Sequence, residues 1–264
     1  MYSLYACMML MLFYSCNDHG SYFQAETNLN KRVVNDTIMY RSSDSLSWSW
    51  FLQHLPIVDA PVLDYRGYPV SYQQKHTAII NYDVGTSDLQ QCADALMRLR
   101  AEYLFTRKRY HEIGFHFTDG QYFSWDAYSE GVRPVAHGSR LQFIRSSNSS
   151  AFTHTNLRKY LDIVYAYAGT ISLEKELKNT NSFEIGTVVI HGGSPGHCFI
   201  IIDEMRTASG EKLFKLAEGY TPAQSIYILR NPWASGISPW YLLKQGTIQT
   251  ASYTFTNYQL KKFE

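Results

Sequence analysis

The chain has 264 residues, 45% of them hydrophobic and 18% charged, which is enough to bury one sizeable core and at most a small annex. Its formal net charge is +1, and no Lys/Arg cluster extends beyond Arg107-Lys108-Arg109. Nucleic acid is thereby excluded as a partner, because neutralising phosphates takes a basic surface. Tyrosine is the compositional outlier, with 21 residues beside 14 Phe and 5 Trp. That bias suits either an aromatic core whose hydroxyls reach water or a groove for glycan or peptide.

The first fifteen residues, MYSLYACMMLMLFYS, carry no charge and end at Cys16. Spanning a bilayer as a helix takes roughly 20 apolar residues, so residues 1–15 are expected to be a signal peptide rather than a membrane span. Leu12 to Cys16 resembles a bacterial lipobox, in which a lipidated cysteine becomes the new N-terminus, although Tyr14 is bulky for its slot and no Lys or Arg precedes the run. The expectation is an exported lipoprotein of the bacterial cell envelope, held to the membrane through lipid on Cys16. Residues 16–43 then read as a lipid-proximal tether and residues 44–264 as a single domain. Of the four cysteines, Cys7 leaves with the signal and Cys16 carries lipid. Cys92 and Cys198 remain, enough for one disulfide but not for a disulfide framework.

Along the body, Leu46, Trp50, Phe51 and Leu55 mark a first helix over Asp44 to Leu55, ended by Pro56. Strand-like pieces follow around the Arg66-Gly67 turn and in TAIINYDV. The strongest helix is SDLQQCADALMRLRAEYLF, with Ser87 and Gln90 in capping-box spacing and Leu89, Cys92, Ala93, Leu96, Leu99 and Tyr103 on one stripe. Asp94, Arg98 and Glu102 form an i, i+4, i+8 charge ladder. RYHEIGFHF reads as a strand, a long helix runs from near Thr155 through Tyr167, and SLEKELK adds a shorter one. From Glu184 onward EIGTVVIH, GHCFIIIDE, KLFKLAEGY and QSIYILR, separated by turn residues, predict an antiparallel meander. The fold class expected is α+β, with helices packed on one face of the meander.

Alternation along GHCFIIIDE sends His197 and Phe199 to one face of the sheet and Cys198 and Ile200 to the other, so a partner for the imidazole has to come from elsewhere. Cys92 is the candidate, in the early turns of a helix whose macrodipole favours a thiolate. Set against this, Cys92 lies on an apolar stripe several residues past the expected cap, where a cysteine behaves as a small hydrophobe. His197 is open between a hydrogen-bonded histidine near a turn and a general base, and Glu218 between an edge charge and the group that orients the ring. His111, Glu112 and His116 do not make a zinc-peptidase helix, because the histidines are five apart instead of four. No metal or cofactor is expected. Trp125 and Arg133, in SWDAYSEGVRP, are candidates to line a substrate groove or to form a packing pair.

The order of helix-borne cysteine, strand-borne histidine and polar residue on the next strand resembles that of papain-like cell-wall peptidases of the NlpC type, without their Asp-Cys-Ser-Gly signature. That resemblance implies a thiolate attacking an amide carbonyl, with Cys92 as nucleophile, His197 as base and Glu218 as orienting group. Over most of its length, and most specifically in DLQQCADALMRLRAEYLF and GGSPGHCFIIIDE, the chain also resembles a family of bacterial lipoproteins catalogued as domain of unknown function 4846. This second resemblance implies envelope location and lipidation and no particular activity. Two functions of different class therefore stand: a cysteine-dependent amidase or peptidase acting on cell-wall peptides, and a non-catalytic envelope module that binds glycan or peptide through aromatics.

Overall fold

The computed structural model describes residues 37–138 and 140–264. Ten strands form one sheet: β1 (Thr37–Met39), β2 (Ile57–Val58), β3 (His76–Ile80), β4 (Lys178–Asn179), β5 (Val188–His191), β6 (His197–Thr207), β7 (Lys212–Glu218), β8 (Tyr227–Leu229), β9 (Trp240–Tyr241) and β10 (Gln259–Lys262). The spatial order is β2-β3-β8-β7-β6-β5-β10-β4, with β1 added to β6 and β9 to β7. All these pairings are antiparallel. The apolar runs from Glu184 onward thus make the expected meander, β5 to β8, at the heart of an α+β fold.

Among the described residues five α-helices accompany the sheet: α1 (Trp48–Gln53), α2 (Cys92–Thr106), α3 (Trp125–Ser129), α4 (His154–Tyr167) and α5 (Thr170–Glu176). None of the described helices is long and apolar enough to cross a membrane. Strand β6, with eleven residues, divides two cores. Cys198, Ile200 and Ile202 join Leu96, Leu99, Leu157 and Leu161 from α2 and α4 in one. Phe199 and Ile201 join Phe214, Leu216, Tyr227, Leu229 and Phe255 in the other. Period-two alternation therefore puts His197 and Glu218 on this second face, at the start of β6 and the end of β7.

Several elements differ from expectation in extent. The first helix is shorter than Asp44 to Leu55, because the Ser47 side chain accepts from Trp50 N at 3.1 Å and starts the helix there. RYHEIGFHF forms a 3-10 turn over Tyr110–Glu112 and then a three-residue strand, Gly114–His116, paired with Tyr122–Ser124. Residues 37–43, assigned from composition to the tether, lie on the body: Thr37 to Met39 pair with Thr207 to Met205, and Arg41 reaches Asp203 at 2.9 Å. The apolar leader, Cys7 and Cys16 lie outside the described residues.

Candidate functional site

Cys92 is the first residue of α2, with Gln91 as its N-cap. Asp88 accepts a hydrogen bond from Ala223 N at 2.7 Å. Leu89 N and Gln91 N bond back to the carbonyls of Ser87 and Leu89, each at 2.8 Å. These contacts hold residues 87–91 in turns, so the box expected from Ser87 and Gln90 does not start the helix. Asp94 takes over the capping role and accepts from Gln91 N at 3.0 Å. The expectation that Cys92 lies well inside the helix is corrected accordingly: it stands at the positive end of the macrodipole, among backbone N–H groups that lack intrahelical partners. The end of β7 admits the helix there because residue 219 is glycine. A Cβ at Gly219 would lie 2.7 Å from Ala95 Cβ and 2.8 Å from Gln91 O.

His197 opens β6 directly after Ser194-Pro195-Gly196. A Cβ at Gly196 would meet Thr170 Oγ1 at 2.2 Å, so a glycine is what lets this turn lie against α5. The His197 ring packs on Tyr253, Tyr220 and Phe255, with centroids 5.0, 5.2 and 5.8 Å away. Its Nε2 is 2.9 Å from Glu218 Oε2, and both side chains are buried. The Tyr227 hydroxyl, on the register partner of Glu218, donates to the other carboxylate oxygen, Oε1. A carboxylate with no exposed surface is thus satisfied on both oxygens, which is the condition for keeping a charge in a sheet interior.

Cys92 and His197 line one cleft of about 510 Å³, together with Thr170, Gly196, Tyr220 and Tyr253. The Cys92 Sγ contacts Gly196 O at 3.9 Å. Hydrogen bonding from the Cys198 thiol, then the hydrogen bond and positive charge of His197, lowers the Cys92 thiol to about 5 against the opposing effect of burial. Burial pulls the His197 imidazolium down, but the Glu218 charge and hydrogen bonds to Cys92 and Glu218 outweigh it and raise His197 to about 10. At neutral pH these directions describe a thiolate beside an imidazolium, in a cleft where a carbonyl carbon can approach the sulfur and the ring can return a proton to a leaving amine.

Other residues singled out in the sequence sit elsewhere. Trp125 is fully buried, packed on Phe105, Tyr110 and Phe152, and presents no surface to a ligand. Arg133 lies over the Tyr128 ring at 3.7 Å and donates to Tyr128 O. Neither lines the Cys92 cleft. His111 and His116 go separate ways, to Asp126 at 2.8 Å and Glu176 at 3.1 Å, and among the described residues no group of three or more His, Cys, Asp or Glu is placed to hold a metal ion. The sequence missed two members of the site. Tyr227 was visible only as one apolar position of QSIYILR. Cys198 was set aside because it faces away from the imidazole, which is correct for the strand; it nonetheless shares a core with Cys92, since the helix packs on that same face.

The fold and the site define an α+β protein with a Cys-His-Glu cluster at the junction of a helix N-terminus and the centre of an antiparallel sheet. The chain belongs to the family described as Domain of unknown function (4846), whose model matches residues 30–262. No curated protein and no solved structure matches it.

Proposed function

We propose that this protein is a cysteine-dependent amidase or peptidase of papain-like layout that acts on cell-wall peptides, with Cys92 as nucleophile, His197 as general base and acid, and Glu218 orienting the ring. The observation that carries the reading is the pairing of a helix-N-terminal cysteine with a histidine whose far nitrogen is fixed by a buried carboxylate at 2.9 Å. In the reaction the Cys92 thiolate adds to an amide carbonyl, and His197 protonates the departing amine to leave an acyl-enzyme. His197 then takes a proton from water, which attacks the thioester and releases the acid. Orphan N–H groups of the first turn of α2 are available to the tetrahedral oxyanion.

The class of substrate rests on the likeness of strand order to NlpC-type peptidases and on the apolar leader ending at Cys16. That leader supports export and a lipid anchor in the cell envelope. Incubating the protein with purified peptidoglycan and with its soluble peptides, and reading new amino termini by mass spectrometry, tests the proposal. Wild type is expected to release products that Cys92→Ala and His197→Ala do not; equal products, or none from any peptide tried, would count against it.

A second reading draws on a separate feature. A pocket of about 190 Å³ shares Tyr220 and Thr221 with the catalytic cleft and is lined by Tyr68, Tyr72 and Lys75. Tyr68 and Tyr72 are exposed, as aromatic platforms for a glycan or peptide are. If binding is the whole function, Cys92→Ala retains full affinity for cell-wall fragments while Tyr72→Ala loses it.

A further inference from the structure

Cys198 is a buried thiol that makes and breaks no bond in the hydrolytic mechanism. It projects from β6 into the same core as the face of α2, one residue beyond His197, and is fully enclosed. Cys92 starts α2, packs against that core, and has its Sγ held near the turn that precedes β6 by the contact to Gly196 O. Both side chains pack into the one core between α2 and β6, near enough that each thiol shifts the titration of the other, and both are free. One is partly open to the cleft and the other is shielded from solvent, as in a nucleophilic and resolving pair.

We propose that Cys92 and Cys198 form a reversible disulfide on exposure to peroxide, and that this bond closes the site by consuming its nucleophile. The Cys92 thiolate attacks one oxygen of hydrogen peroxide; the O–O bond breaks, the sulfur becomes a sulfenic acid, and the hydroxide released takes a proton to give water. The Cys198 sulfur then attacks the sulfenic sulfur, the S–O bond breaks, and the hydroxyl leaves with the Cys198 proton as a second water. Peroxide is the two-electron oxidant, and the two thiols together supply the two electrons. Without a resolving thiol so close, a thiolate of this kind proceeds to sulfinic acid, which thiol reductants do not reverse. Burial pushes the Cys198 thiol well above its ordinary range, so Cys198 stays protonated and does not compete as the first site of attack.

The proposal depends on the same reactive thiolate as the hydrolytic reading but not on any substrate. Its test is peptide mapping of the folded full-length chain after brief treatment with dilute hydrogen peroxide, with and without later reduction by dithiothreitol. The result expected is a cross-linked pair of peptides carrying Cys92 and Cys198, two mass units lighter than their sum, that reverts on reduction with recovery of iodoacetamide labelling at Cys92. Cys198→Ala is expected to gain about 32 mass units at Cys92 instead, with labelling lost for good. Sulfinic acid at Cys92 beside a free Cys198 in the wild type would overturn the proposal while leaving the nucleophile intact. An unreacted pair would overturn it too, and the rate at which the reduced protein alkylates at neutral pH then tells whether the thiolate itself is absent.

Discussion

His197 Nε2 and Glu218 Oε2 are 2.9 Å apart, and Tyr227 holds the second oxygen of the same carboxylate. The contact leaves Nδ1 as the nitrogen available toward the cleft. It also places a full negative charge behind the ring, and that charge favours the imidazolium on which the Cys92 thiolate depends.

Replacing Glu218 by Gln keeps the shape of the side chain, removes the charge and turns one of the two accepting oxygens into an NH2 donor, so that only one of the contacts to His197 and Tyr227 keeps its acceptor. His197 is then expected to protonate less readily and Cys92 to lose part of its counter-ion. The pH midpoint of Cys92 alkylation should move up by about one to three units, with the circular dichroism spectrum unchanged. A midpoint that stays where it was would reduce Glu218 to a packing role.

Gly219 sets how closely α2 can approach. Gly219→Ala brings a methyl group within 2.7 Å of Ala95 Cβ and 2.8 Å of Gln91 O, and neither partner is the far end of a flexible side chain. Urea denaturation should show a loss of about 1–3 kcal/mol, the usual cost of overpacking. Cys92 alkylation should slow at the same time, as the helix start is displaced from His197. Unchanged stability and rate would mean that the helix does not need this approach.

Linkage gives the thiol a signature in stability. Cys92 is lowered from 9.0 to about 5 in the folded protein, so between those values the unfolded chain binds more protons at this position than the native one. The stability contributed by the thiolate is therefore complete above about pH 9 and disappears as pH falls through about 5. His197, raised from 6.5 to about 10, runs the other way, contributing fully below about 6.5 and losing its part as pH rises through 10. The difference in Tm between wild type and Cys92→Ala should widen steadily from about pH 5 to about pH 8.5. A constant difference would indicate an ordinary thiol.

The sequence was most legible where periodicity is strong and local. The apolar runs from Glu184 onward, each bounded by its own turn residues, gave the meander, and side-chain alternation along its strands gave the shared face of His197 and Glu218. Helix α2 was legible as a helix but not in its start, which is set by Asp88 bonding to Ala223, 135 positions away. No local pattern carries that contact. Asp94, Arg98 and Glu102 read as a charge ladder along the helix, and their spacing gave no sign that all three are buried. Arg98 meets Glu102 at 2.6 Å and Asp94 caps the helix, because Asp83, His154 and Arg158 fold over that face. Trp125 looked like a groove residue because composition cannot tell an aromatic that lines a cleft from one enclosed by three others.

Alkylation of Cys92 by iodoacetamide in the folded protein, followed by peptide mass spectrometry from about pH 4 to about pH 9, tests the thiolate-imidazolium pair most directly. Rapid labelling with an apparent pKa far below the ordinary thiol value of about 8.5, shifted upward in His197→Ala, is the result expected of an activated nucleophile. Labelling only after unfolding, or a midpoint near 8.5 indifferent to His197, would make Cys92 a core residue and contradict the catalytic reading.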